Sequence, residues 1–137
     1  MKAFIDTSSL FKKYVLETGS DTFDELLKKI SEIIVSPIYL LEVNSAIDRR
    51  LKEKGLTTQQ TKWILSEITK DTDYFTKILW NENLEKTSIA LIGKHHLKTL
   101  DAIQLASALL SLADLFVTSD KHLAAIARKE LKQVRFI

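Results

Sequence analysis

The sequence contains no cysteine, one proline and only three glycines among its 137 residues. Without cysteine it can form neither a disulfide framework nor a thiolate zinc site, which favours a reducing, cytoplasmic location. No apolar run approaches the roughly 18 residues that a membrane-spanning helix needs, and the N-terminus lacks the features of a signal peptide. The scarcity of proline and glycine indicates few loops and much regular structure.

Neither sign of charge dominates, because 20 Lys and Arg residues are balanced by 18 Asp and Glu residues, which gives a net charge of +2. A strongly basic domain would be the clearer sign of nucleic-acid binding, so this balance permits such a partner without requiring it. The hydrophobic fraction of 45% is enough for a real core. The length suits one domain, residues 1–137.

Short apolar runs alternate with helical patterns along the chain. The predicted strands are residues 2–5, 33–35, 74–79, 115–117 and 134–136. The predicted helices cover about residues 10–17, 21–30, 37–54, 57–72, 81–96 and 100–112, with a last helix after residue 120. This alternation predicts a three-layer α/β/α sandwich with a central, mostly parallel sheet. In such sheets the functional groups gather beyond the carboxyl ends of the strands.

Three aspartates belong to that edge. Asp6 directly follows the first predicted strand, and Asp120 directly follows the strand that ends near residue 118. Asp101 stands at the head of a helical stripe where packing alone would favour another leucine. The stripe continues through Leu105, Ala108 and Leu112. Because a crossover helix begins at the edge where parallel strands end, we expect the three carboxylates to be neighbours.

Glu42 is the fourth acid at this edge. It lies about a turn and a half into the helix predicted to begin at Pro37, within the apolar run IYLLEV. No basic residue stands four positions later, where Ala46 is, so a local ion pair does not explain it. Its depth in the helix also argues against a capping role. Asp6 and Asp120, by contrast, are good helix N-caps, and Asp101 would favour a helix dipole.

Four carboxylates at one edge repel one another and raise each other's pKa unless a cation is present. Mg²⁺ and Mn²⁺ prefer oxygen ligands, and water on such an ion can attack a phosphodiester. The hydroxyls of Thr7, Ser8 and Thr118 lie beside the acids and are placed to orient them. The residues therefore indicate a divalent-metal site for phosphodiester hydrolysis.

Four segments, FIDTSSL, LLEV, LDAIQLASAL and FVTSD, follow one another along the chain. In this order they resemble the PIN-domain family, and within it the VapC-type toxins of VapBC toxin–antitoxin pairs. The resemblance covers essentially the whole chain, and the ordered set is more specific than any one segment. It implies an α/β/α fold and a Mg²⁺- or Mn²⁺-dependent endoribonuclease that leaves 5′-phosphate and 3′-hydroxyl ends.

The resemblance also implies roles and partners. The family's four acids fall on Asp6, Glu42, Asp101 and Asp120 as catalytic and metal-binding residues. Its hydroxyl before the last acid falls on Thr118, and a polar position near the first acid falls on Ser8. The implied partners are an RNA substrate, a small antitoxin of a type II pair and a second copy of the chain in a homodimer.

Other functions remain open at this stage. A stand-alone PIN nuclease of RNA processing and a non-catalytic RNA-binding or scaffold module would both fit. A phosphotransfer domain also uses an aspartate after a parallel strand, but a haloacid-dehalogenase-type enzyme needs a second acid where Ser8 stands. Six basic residues could flank an RNA path, although solvated helix faces are the favoured explanation for them. They are Lys12, Lys13, Arg49, Arg50, Lys52 and Lys54.

Overall fold

A computed structural model describes all 137 residues and contains one five-stranded, entirely parallel sheet. The strands are β1 (Lys2–Ile5), β2 (Glu32–Val35), β3 (Thr76–Lys77), β4 (Leu115–Thr118) and β5 (Val134–Phe136), in the spatial order β3-β2-β1-β4-β5. The first strand of the chain is therefore the central one. β1 pairs with β2 on one side and with β4 on the other.

Seven α-helices connect and cover the strands. They are α1 (Thr7–Leu10), α2 (Ser20–Leu27), α3 (Tyr39–Lys52), α4 (Thr58–Thr72), α5 (Glu82–His95), α6 (Thr99–Ser111) and α7 (Lys121–Glu130). Thr57 closes a capping box on α4, and Asn81 caps α5. None of the helices combines the length and the apolar content that crossing a membrane requires.

The buried side chains form two cores, one on each face of the sheet. Because side chains alternate along a strand, Ala3 and Ile5 of β1 enter the core that α1–α4 cover, whereas Phe4 enters the core beneath α5–α7. Phe4 packs against Phe116 of β4 with ring centroids 5.9 Å apart. These two cores confirm the predicted α/β/α sandwich.

The start of α3 corrects the predicted helix boundaries. The helix begins at Tyr39 rather than at Pro37, because Ile38 is the N-cap residue. Glu42 therefore lies in the first turn of α3 rather than a turn and a half into the helix, but it is not the N-cap residue and does not cap the helix. At the other end α3 stops at Lys52, two residues before the predicted end, and Lys54 adopts a left-handed conformation with φ of 57°.

Three further predicted boundaries change. The helix predicted over residues 10–17 is α1 followed by a 3₁₀ turn, Phe11–Lys13, since the carbonyl of Asp6 already accepts the first helical hydrogen bonds. The strand predicted over 74–79 shrinks to the two residues of β3. Leu112 ends α6 in a left-handed conformation and is 87% exposed, so the apolar stripe stops at Ala108.

Candidate active site

Asp6 lies where the central strand ends and α1 begins. Its N–H donates to the carbonyl of Val117 at 2.9 Å, which holds it between β1 and β4. The side chain is 5% exposed and makes no capping hydrogen bond to α1. Instead Oδ2 accepts from the hydroxyls of Ser8 at 2.6 Å and Thr118 at 2.7 Å, while Oδ1 accepts no hydrogen bond. One oxygen is thus anchored and the other is available.

The two hydroxyls that anchor Asp6 are themselves held in place. Ser8 Oγ accepts from the backbone N–H of Ser119 at 3.0 Å, and Thr118 Oγ1 accepts from the backbone N–H of Asp120 at 3.1 Å. Thr118 is fully buried. The end of β4 and the start of α1 are therefore joined through side chains that also fix the first acid.

Glu42 is anchored in the same way by a different pair of donors. Its Oε1 accepts from the Thr7 hydroxyl at 3.0 Å and from Nε2 of Gln104, while Oε2 accepts no hydrogen bond. Gln104 Nε2 also donates to Thr7 Oγ1 at 3.1 Å. All three predicted supporting hydroxyls, those of Thr7, Ser8 and Thr118, therefore contact an acid.

The sequence analysis missed Gln104. It lies on α6 between Ile103 and Leu105, is 1% exposed, and its Oε1 is buried without a hydrogen-bond partner. A large polar side chain within the apolar run LDAIQLASAL was the available signal, because a buried amide needs partners. The helical periodicity of the sequence does not identify the hydrogen-bond partners of this amide.

Asp101 and Asp120 complete the set. Asp120 is the N-cap residue of α7, and its Oδ1 accepts from the N–H of Leu123 at 2.9 Å, so the capping interpretation is observed there. Its Oδ2 accepts no hydrogen bond. Asp101 lies half-buried in the first turn of α6 and makes neither a side-chain hydrogen bond nor an ion pair.

The acids influence one another electrostatically. Burial raises the pKa of Asp6; the hydroxyls of Ser8 and Thr118 oppose this shift, and the charges of Asp101 and Asp120 add to it. Burial also raises the pKa of Glu42, against the hydrogen bond from Gln104 and with the charge of Asp6. For Asp101, burial and then the charge of Asp120 raise the pKa. The structure therefore brings the acids within electrostatic reach of one another.

The donor set has the chemistry of a site for a hard divalent cation. Every ligand candidate is a carboxylate oxygen, and each of the four acids keeps at least one oxygen free of hydrogen bonds. In the present arrangement no three His, Asp or Glu side chains converge closely enough to hold an ion. Binding therefore requires the acid side chains to move toward one another, while the hydroxyls and Gln104 keep one oxygen of Asp6 and of Glu42 in place.

Charge on Asp6 has a consequence for stability that can be measured without metal. Its pKa is raised in the fold above an ordinary value of 3.8, so the folded chain binds more protons than the unfolded chain and stability falls as pH rises through the folded-state pKa. Asp6→Asn keeps an oxygen for Ser8 and Thr118 but removes this charge. In chelator, we expect the Tm of the variant to exceed that of the wild type increasingly from pH 4 to pH 8.

Thermal melts of both proteins across this pH range, monitored by circular dichroism, check the expectation. Asp114→Asn is the matched control, because the carboxylate of Asp114 accepts from the N–H of Lys2 at the opposite edge of the sheet. A difference between Asp6→Asn and wild type that is independent of pH would contradict it.

Comparisons with known proteins are consistent with this geometry. The family model described as PIN domain matches residues 3–129. A toxin–antitoxin complex from Klebsiella pneumoniae contains a similar chain, with 25% identity, a TM-score of 0.63 and coverage of 91% of this chain and 92% of that one. The comparison with curated proteins found no match.

Two other solved structures share the fold. PAE2754 from Pyrobaculum aerophilum has 19% identity and a TM-score of 0.66, and the match covers 92% of this chain and 84% of that one. FitAcB from Neisseria gonorrhoeae has 13% identity and a TM-score of 0.68, and covers 98% of this chain and 96% of that one.

Proposed function

This chain belongs to the PIN-domain family, and from that premise we propose that it is a Mg²⁺- or Mn²⁺-dependent endoribonuclease. The observation that carries the proposal is the arrangement of Asp6 and Glu42. Each is held by two donors through one oxygen and keeps the other free of hydrogen bonds, and the charge of Asp101 acts on both acids.

In the proposed reaction the four acids hold the ion, and the ion supplies activation of water and neutralisation of negative charge on the phosphodiester. Ser8 and Thr118 orient Asp6, and Thr7 and Gln104 orient Glu42. By keeping one oxygen of each acid fixed, these donors reduce the reorganisation that binding requires. Hydrolysis then gives 5′-phosphate and 3′-hydroxyl ends.

The direct test is an incubation of the purified chain with labelled single-stranded RNA and the matching DNA. Mg²⁺, Mn²⁺ and EDTA are compared in separate reactions, and the product ends are analysed. We expect RNA to be cut only with a divalent ion and to carry 5′-phosphate ends. Cleavage that persists in EDTA, or 2′,3′-cyclic phosphate ends, would refute the proposal because attack by the ribose hydroxyl needs no metal-activated water.

We further propose that the chain is the toxin of a type II toxin–antitoxin pair, with a small antitoxin and a second copy of itself as partners. The likeness to a chain of the Klebsiella toxin–antitoxin complex, over more than nine-tenths of both chains, supports this role. A short reading frame directly upstream of the gene would support it further. A gene embedded instead among RNA-processing functions would favour a stand-alone PIN nuclease.

A non-catalytic RNA-binding or scaffold role is the remaining alternative. Such a module has no need for four acids whose charges are partly buried and mutually repulsive. Retention of all four, together with their hydroxyl and amide supports, favours the catalytic function over it.

A further inference from the structure

A cavity of about 690 Å³ opens beside the acids. Thr7, Ser8 and Ser119 line one end, and Glu42 joins them from α3. From there the cavity follows α3 away from the acids. Its volume lies within the range of roughly 300–1,000 Å³ that is usual for ligand sites.

Most charges along this cavity are already neutralised within the protein. Glu17 lies 2.7 Å from the guanidinium of Arg50 and 3.3 Å from Nζ of Lys12. Lys12 is buried and also donates to the carbonyl of Thr18 at 2.6 Å. The guanidinium of Arg50 is stacked 4.4 Å from the ring centroid of Phe11. These cations maintain the wall of the cavity and have little capacity left for a ligand.

Arg49 differs from these neighbours. It lines the cavity and is exposed, and it makes no ion pair and no side-chain hydrogen bond. It follows Glu42 by seven residues, so the two lie on the same face of α3, about 10 Å apart along its axis. At this separation, one extended ligand can contact Arg49 with one group while another of its groups lies at the acids.

The surface between Glu42 and Arg49 has the properties expected of a site for a nucleic-acid strand. A guanidinium matches a phosphate through two parallel hydrogen bonds, and an unpaired one loses no existing partner on binding. Leu41 and Leu100, which are 71% and 51% exposed, also line the cavity and offer apolar contact to sugars and bases. A polymer that carries repeated phosphates together with sugars and bases fits this surface better than a small anion does.

We propose that Arg49 forms a phosphate subsite that binds a backbone phosphate of an RNA strand adjacent to the phosphodiester at the acids. This subsite deepens, and rests on, the endoribonuclease function proposed above. Arg49 positions the strand along α3 and takes no part in the bond-breaking step. Its contribution is therefore to substrate affinity and to the salt dependence of binding.

The experiment measures the binding of a fluorescent single-stranded RNA to the full chain in EDTA by anisotropy, at several salt concentrations. For Arg49→Gln we expect the Kd at low salt to rise roughly tenfold and the slope of log K against log salt to fall by about 0.7, one phosphate contact on a single strand. Arg49→Lys keeps the charge and should keep the slope. Arg128→Gln is the matched control, since Arg128 is an exposed, unpaired arginine on α7 outside the cavity.

Cleavage kinetics with Mn²⁺ separate the two proposals. We expect Arg49→Gln to raise KM while kcat changes less than twofold. If the wild type cleaves RNA and Arg49→Gln binds with unchanged slope, the subsite is refuted and the nuclease stands. If Arg49→Gln lowers the slope of log K against log salt but neither the wild type nor any variant cleaves RNA, the nuclease function is refuted and the chain binds RNA without cutting it. Equal loss of affinity for polyglutamate would identify a general anion contact and would also overturn the phosphate subsite.

Discussion

Replacement of Asp6 by Asn is expected to lower the rate of RNA cleavage by at least about 10³-fold while the fold survives. Asn keeps the size of Asp6 and an oxygen for the hydroxyls of Ser8 and Thr118. It removes the negative charge from the acid that stands at the centre of the sheet and feels both Asp101 and Asp120. The loss therefore falls on ion binding rather than on packing.

The measurement is single-turnover cleavage of labelled RNA at saturating Mn²⁺, with circular dichroism to verify the fold. Asp114→Asn makes the same chemical change at the opposite edge of the sheet and should retain full activity. We expect Mn²⁺ to raise the Tm of the wild type and of Asp114→Asn but not the Tm of Asp6→Asn. An Asp6→Asn protein that cleaves within tenfold of the wild-type rate would refute the proposed site.

The second large effect is expected at Gln104, which lies behind the acids. Gln104→Met keeps the volume of the side chain but removes the N–H groups that reach Thr7 and Glu42. Loss of such a supporting contact commonly costs 10- to 100-fold in metal affinity or activity. Because the same substitution removes the unpartnered Oε1 of Gln104 together with the two hydrogen bonds, we expect the Tm to fall only slightly.

A large loss of Mn²⁺ affinity beside a small change in Tm distinguishes a positioning residue from a merely structural one. Mn²⁺ affinity from calorimetry, kcat and Tm are measured on the same preparations. Ser107→Ala is the matched control: Ser107 lies three residues further along α6, and its hydroxyl is also buried without a partner. Its removal should leave Mn²⁺ affinity unchanged. If Gln104→Met and Ser107→Ala behave alike, Gln104 does not position Glu42.

The fold could be predicted largely from local patterns. The apolar runs at residues 2–5 and 33–35 and at 115–117 became the three central strands, because a strand buried on both faces must be apolar throughout. Helix ends were harder to place. Pro37 suggested a start two residues early, and the predicted end at residue 54 lies two residues beyond Lys52, where α3 ends, since local preference does not fix a helix terminus.

The candidate site was only partly visible in the sequence. Asp6 and Asp120 were placed by the rule that parallel strands end at one edge, Asp101 by its position at the head of an apolar helical stripe, and Glu42 by its unpaired position within an apolar run. The division of the Asp6 and Glu42 carboxylates into an anchored and an available oxygen was not predictable. It depends on donors such as Gln104 and Thr118, which lie 62 and 112 residues from the acids that they contact.

By itself, the sequence determined the family and the parallel α/β/α architecture, and it singled out the four acids of the proposed site, because periodicity, apolar runs and motif order are local properties. Only the tertiary structure decided which groups restrain those acids, and that Arg49 alone among the charged residues lining the cavity keeps a guanidinium without a protein partner while Lys12 and Arg50 do not. Hydrogen bonding and charge pairing between distant segments depend on distances that folding sets, and a linear pattern does not contain those distances.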